Sequence, residues 1–134
     1  MSNLFEIMSE ETNCDVNMLC DIIRSTAYDI HVFLGNGHLE KVYENALVNR
    51  LKKLGVNVIQ QAQISVFDED GTNIGDYYAD LFIEKKLLIE LKATKYLVNE
   101  HIAQILGYMR ASHIEHGLLI NFGSYKFEMR KFIL

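Results

Sequence analysis

Apolar residues recur at helical spacing in the first quarter of the chain. Val16, Leu19, Cys20, Ile23, Ala27, Ile30 and Leu34 fall on one stripe. This predicts a helix running from a cap at Thr12 or Asn13 to about Phe33. Gly35-Asn36-Gly37 follows, and glycine just past a helix end is a common left-handed terminator. A second helix is expected from about His38 to Leu54, ending at Gly55. Its apolar arc, drawn at about 100° per residue, holds Leu39, Val42, Tyr43, Ala46, Leu47, Leu51 and Leu54. Glu40 falls inside this arc and Glu44 just outside it. The plain reading of Glu40 is a carboxylate favoured by the dipole at a helix start.

From Val56 to Phe67 the period changes to two, through Val56, Val58, Ile64 and Val66. The polar middle, Gln60-Gln61-Ala62-Gln63, suggests a bulge or an exposed face. Asp68-Glu69-Asp70-Gly71 reads as a solvated turn, without the ligand spacing of an EF-hand. Two short strands joined by a tight turn are expected between Tyr78 and Lys92. A helix then starts at Thr94 or Asn99 and ends near Ser112, with Ile102, Ile105, Leu106 and Met109 inward. Gln104 and Tyr108 share another face, with His101 one turn earlier. Strands at His116–Phe122 and Tyr125–Ile133 flank Gly123-Ser124. The order α-α-β-β-β-α-β-β predicts an α/β or α+β sheet with helices packed on it.

Composition places this pattern in one globular domain. The 134 residues are 49% hydrophobic and 23% charged, with no Pro, and that length buries a core without staples. Residues 1–11 are polar and acidic and are expected to be flexible, leaving 12–134 as the domain. No apolar run is long enough to span a bilayer, and the first residues lack the marks of a secretory signal. Cys14 and Cys20, six apart, suit neither a zinc knuckle nor a disulfide within one helix, so a cytoplasmic or other reducing compartment is expected. The net charge of −5 argues at first against a nucleic-acid partner. However, five of the acids lie in residues 1–21, which carry no Lys or Arg. The remaining chain balances 13 basic against 13 acidic side chains. A nucleic-acid site is therefore permitted, though no broad basic surface announces it. Met18, Ile22, Thr26 and Phe33, spaced off the core stripe, would serve a homodimer face; the plainer reading is that they widen the stripe.

The hairpin carries the strongest conflict between pattern and chemistry. Asp80, Glu90 and Lys92 sit in segments that otherwise look buried, where an unpaired charge is costly. A turn through Glu84-Lys85-Lys86 places Asp80 across from Glu90, with Cβ atoms ~4.5–5.5 Å apart, and Lys92 on the same face. Leu81, Ile83, Ile89 and Leu91 then point the other way, and a one-residue slip would scatter the set. Two opposed carboxylates repel and raise one pKa. Mg²⁺ or Mn²⁺ would relieve that repulsion and could activate water against a phosphodiester, with Lys92 beside it. A cross-strand salt-bridge network would relieve it as well. With 11 Glu and 9 Lys, roughly 0.7 Glu-x-Lys triplets arise by chance. A second copy, Glu84-Lys85-Lys86, has no opposed acid and reads as solvated turn charge.

Gly37-His38-Leu39-Glu40-Lys41-Val42-Tyr43 matches the Gly-x-x-Glu-x-x-Tyr signature, and the chain resembles the GxxExxY family of the PD-(D/E)xK nuclease-like superfamily. The resemblance runs from about Leu19 to Phe132. It includes Tyr78-Ala79-Asp80, Ile89-Glu90-Leu91-Lys92-Ala93, Ala103-Gln104 and Leu118–Gly123. It implies a restriction-endonuclease-like core, a mixed central sheet flanked by helices. It also implies a Mg²⁺-dependent phosphodiesterase acting on nucleic acid, DNA before RNA. Asp80 matches the first acid of the motif, Glu90 the second and Lys92 its lysine. Glu40 matches a helical acid used beside the metal, and Gln104 with Tyr108 is similar to the Gln-x-x-x-Tyr helix of RecB-type nucleases. Ala79 stands where the motif has proline. The implied catalytic set is Glu40, Asp80, Glu90, Lys92, Gln104 and Tyr108, with Asp80, Glu90 and Glu40 on the metal. The alternative is a catalytically silent module of the same fold that binds nucleic acid or a protein partner.

Overall fold

The computed structural model describes residues 15–134. The acidic segment 1–11, the caps at Thr12 and Asn13, and Cys14 lie outside the described residues. Helix α1 (Val16–Leu34) is capped instead at Asp15, whose carboxylate accepts the Asn17 N–H at 2.9 Å. Aspartate caps as well as asparagine does, and Asp15 directly precedes the buried stripe. Leu19, Cys20, Ile23, Ala27 and Ile30 are in the core, with Val16 and Leu34 packed at its margin. Ile22 also packs against the core and Thr26 is buried, its hydroxyl donating to the Ile22 carbonyl at 2.7 Å. Phe33 stays exposed, with the Arg50 guanidinium over its ring.

Helix α2 (Glu40–Lys53) leads into a five-stranded sheet, with one further helix, α3 (Asn99–Ser112), between its third and fourth strands. The strands are β1 (Val58–Phe67), β2 (Asn73–Ile83), β3 (Leu87–Lys92), β4 (His116–Asn121) and β5 (Glu128–Ile133). Their spatial order is β1-β2-β3-β4-β5; β3 and β4 run parallel and the other neighbours antiparallel. The parallel step requires a crossover, and α3 supplies it. Together these elements form the mixed sheet flanked by helices of a restriction-endonuclease-like core. On one face Leu81, Ile83, Ile89, Leu91, Leu118 and Ile120 pack against α1 and α2. On the other, Leu88, Ile64 and Ala79 pack against Ile105 and Met109 of α3.

The buried face of α2 differs from the expected arc. Tyr43, Leu47 and Leu51 are buried, but Leu39, Val42 and Leu54 are exposed, and Glu44 and Val48 lie inside instead. The helix is turned so that Glu44 meets the amides of Gln60 and Gln61 on β1. These donors offset much of the cost of burying the Glu44 carboxylate. β2 is also longer than expected, because Asn73–Tyr78 continues to pair with β1 although its side chains are exposed.

Gly37 and Tyr43 of the signature serve the α1–α2 loop. Gly35 and Gly37 take positive φ, +69° and +111°, conformations that glycine reaches without strain. The buried Tyr43 hydroxyl donates to the Gly35 carbonyl at 2.6 Å and accepts the His38 N–H at 3.1 Å. Its ring stacks on Phe122 at 4.7 Å between centroids. Tyr43→Phe keeps the stack and strips both loop groups of their partner. It is expected to lower stability by about 1–3 kcal/mol in a denaturant titration; an unchanged midpoint would mean that the hydroxyl contributes nothing.

Candidate active site

β2 and β3 hold the expected register only up to a point. Ile83 pairs with Leu87, Phe82 with Leu88 and Leu81 with Ile89, and there the pairing ends. Beyond it the two carboxylates replace the backbone ladder. The Asp80 N–H donates to Glu90 Oε1 at 2.9 Å, and the Leu91 N–H donates to Asp80 Oδ2 at 2.8 Å. Each acid satisfies a backbone donor of the opposite strand, which offsets part of the cost of burying it. Asp80 is 8% exposed and Glu90 3%.

On the other side of β2 the ladder with β1 passes over Gln61, which has a φ of +52°. The residues on either side of this position pack in different cores. Val58 and Leu81 pack in the α1–α2 core, whereas Ile64 and Ala79 pack under α3. Gln61 Nε2 reaches Glu44 Oε1 at 3.0 Å and Asp80 Oδ1 at 3.3 Å, bridging α2 to the acid pair. Glu44 also accepts from Lys41 Nζ at 2.8 Å and from the Gln60 amide. Glu44, Gln60 and Gln61 were not among the expected site residues. Two signals pointed to them: Glu40 and Glu44 are one helical turn apart, and an amide pair interrupts an otherwise alternating strand.

Lys92 turns to α3. Its Nζ donates to Gln104 Oε1 at 2.8 Å, and Gln104 Nε2 donates to the Tyr108 hydroxyl at 2.9 Å. The ammonium bonds an amide and neither carboxylate, so the cross-strand salt-bridge reading does not hold. The end of β3 is held by the buried Asn121. Its Oδ1 accepts the Thr94 N–H at 3.1 Å and its Nδ2 donates to the Thr94 carbonyl at 2.9 Å. The Phe122 N–H bonds the Lys92 carbonyl at 2.8 Å, and Gly123 lies so close to Ala93 and Thr94 that a Cβ would meet their backbone. This clamp fixes where the Lys92 side chain begins.

The electrostatics follow from burial and crowding. Desolvation, then the Asp80 charge, pushes the Glu90 pKa up to about 8. Desolvation also raises Asp80, against the pull of the Leu91 N–H. Glu40, half-buried at the start of α2, is raised by desolvation and then by the Asp80 charge, with Lys92 opposing. Burial raises Tyr108, and the charges of Glu90 and Asp80 add to that. Glu40, Asp80, Glu90, Lys92 and Tyr108 thus share one field, and Gln104 joins it by hydrogen bonds. Among the described residues no group of three His, Cys, Asp or Glu side chains is placed to hold a metal ion. The donors present are carboxylate oxygens, which suit a hard divalent cation, and Mg²⁺ commonly takes only one or two. The turn copy, Glu84-Lys85-Lys86, is elsewhere: the Glu84 carboxylate accepts the Asn57 N–H at 2.8 Å, which makes it a loop staple and not merely a solvated charge.

Among solved structures, a crystal structure of SSO0001 matches with a TM-score of 0.56 and 18% sequence identity, over 70% of this chain and 50% of that one. The chain therefore spans about half the length of that protein, and the likeness is one of fold. No curated protein matches the chain. A family model described as the PD-(D/E)XK nuclease superfamily matches residues 17–132. That span runs from the first turn of α1 to the end of β5 and takes in every side chain of the site, and the chain belongs to this superfamily.

Proposed function

We propose that residues 12–134 form a Mg²⁺- or Mn²⁺-dependent nuclease domain of the GxxExxY branch, hydrolysing phosphodiester bonds in nucleic acid, DNA in preference to RNA. The observation that carries this reading is the parting of β2 and β3 at Asp80 and Glu90. There the ladder gives way to two buried acids, with Lys92 held by Gln104 beside them. Asp80 and Glu90 would hold the cation, with Glu40 as a third or water-mediated ligand. When bound, the cation supplies charge neutralisation at the phosphate and a lowered pKa for water. Lys92 offers its ammonium to a phosphate oxygen as negative charge develops. Gln104 orients that ammonium, and the Tyr108 hydroxyl, which already accepts from Gln104, keeps its own proton to donate to the substrate. Among the described residues no helix is long and apolar enough to cross a membrane, and a cytoplasmic or other reducing setting suits the reading. A homodimer is one way to hold a long substrate.

Incubating the protein with plasmid, single-stranded DNA and RNA is expected to give cleavage in Mg²⁺ or Mn²⁺ and none in EDTA. Cleavage that persists in EDTA would sink the metal-dependent reading. The second reading, a silent module that binds nucleic acid or protein, is favoured by the hydrogen bonds that occupy both Asp80 oxygens and Glu90 Oε1. Binding without cleavage in either metal would select it.

A further inference from the structure

Beside the Lys92–Gln104–Tyr108 chain lies a cavity of about 240 Å³, lined by Tyr77, Ala103, Gln104, Gly107 and Tyr108. It is smaller than the roughly 300–1,000 Å³ of a drug-sized ligand pocket and suits a single planar ring system. Two of its five lining residues are aromatic. The Tyr77 and Tyr108 rings lie 5.1 Å apart, tilted by 33°. Tyr77 projects from β2 and is 46% exposed, so much of its ring is uncovered. Gly107 leaves the floor open, because a Cβ added there would meet nothing within 4 Å. The cavity shares Gln104 and Tyr108 with the site, so a group seated in it adjoins the reacting phosphate.

Resting on the nuclease reading above, we infer that this cavity seats one unpaired nucleobase next to the scissile phosphate, so that the substrate is single-stranded nucleic acid. Geometry supports the choice. Single-strand binders add base stacking on aromatic rings to their phosphate contacts, and Tyr77 and Tyr108 provide such rings. A base inside a duplex has neither face free to stack on Tyr77.

The test is binding of a fluorescent oligo-dT and of a blunt duplex, at one salt concentration, in EDTA and again in Ca²⁺. Tyr77→Ala is expected to weaken single-strand binding roughly 5- to 150-fold, and Gly107→Leu, which fills the cavity, to do the same. Tyr77→Phe should restore it to within about twofold, and duplex affinity should not move. Gly107→Leu is a test of the cavity and not of folding, since it replaces a helix-interior glycine with a better helix former facing open space. The chain has no Trp, so Tyr77→Trp creates a lone reporter whose emission should be quenched by oligo-dT. Unchanged single-strand affinity in both Tyr77→Ala and Gly107→Leu overturns the inference, as does absence of single-strand binding by the wild type. The nuclease reading fails differently, by absence of cleavage, which these binding measurements do not use.

Discussion

Glu90→Gln is expected to reduce nucleic-acid cleavage by at least about 10³-fold while leaving the fold intact. The reasoning separates the two jobs of this side chain. Its structural job is to accept the Asp80 N–H through Oε1, and a glutamine carbonyl does this equally well. Its proposed chemical job needs a full negative charge against a cation, which glutamine lacks. Loss of one such preorganised electrostatic group costs about 10²–10³ in turnover, and loss of cation affinity adds to it. Asp80→Asn should behave alike, since one amide oxygen can still accept the Leu91 N–H. Lys92→Met keeps the aliphatic stem and releases Gln104 from its donor, so it should also lose at least about 10²-fold. Glu84→Gln, in the other Glu-x-Lys, should cleave like the wild type. The measurement is initial cleavage rate at one fixed Mg²⁺ concentration, subsaturating for the variants, with circular dichroism on each variant. Glu90→Gln cleaving within tenfold of the wild type would remove the acid pair from the mechanism.

What the sequence disclosed depended on how local the cause was. The β2–β3 register was legible because a three-residue turn and alternating apolar residues fix it together; Leu81 pairs with Ile89 as expected. The α1 stripe was legible for the same reason, since its period is carried by seven residues in one helix. The orientation of α2 was not. Its hydrophobic arc is ambiguous at the ends, and the tie is broken by Gln60 and Gln61, residues of a separate strand that supply amides to Glu44. Nor could alternation show that the carboxylates of Asp80 and Glu90 replace ladder bonds, since that depends on the strands parting. The Asn121 clamp on Thr94 joins residues 27 apart, and nothing local marks that asparagine as different from any other strand end. Gln104 and Tyr108 were placed beside the motif by family resemblance; their spacing showed only that they share a helix face.

Raising the pH from about 5 to about 8 is expected to destabilise the metal-free protein by roughly 2–5 kcal/mol. The Glu90 carboxyl has an ordinary pKa of 4.5 when unfolded and about 8 when folded. Below 4.5 both states hold the proton and stability does not depend on it. Between the two values the unfolded chain has released a proton that the folded chain keeps, so stability falls by up to about 1.4 kcal/mol per pH unit. Above about 8 the loss levels off. Asp80 and Glu40, also raised by burial, act in the same direction. The exposed Asp70 and Asp76, lowered by hydrogen bonds from Thr72 and Ser65, act in the opposite direction, but at pH below the ordinary carboxylate range. Glu90→Gln has no proton to lose. It should match the wild type near pH 4.5 and exceed it at pH 8, an inversion of the usual penalty for altering a buried residue. Mg²⁺ binds the ionised form, so it should flatten the wild-type slope, and its apparent affinity should rise by up to tenfold per pH unit below about 8. Denaturant titrations across this range, with and without Mg²⁺, decide the matter. A wild-type stability flat between pH 5 and 8, or a Glu90→Gln variant less stable than the wild type at pH 8, would mean that the acid pair is not strained. The cation would then lose its electrostatic reason to bind between β2 and β3.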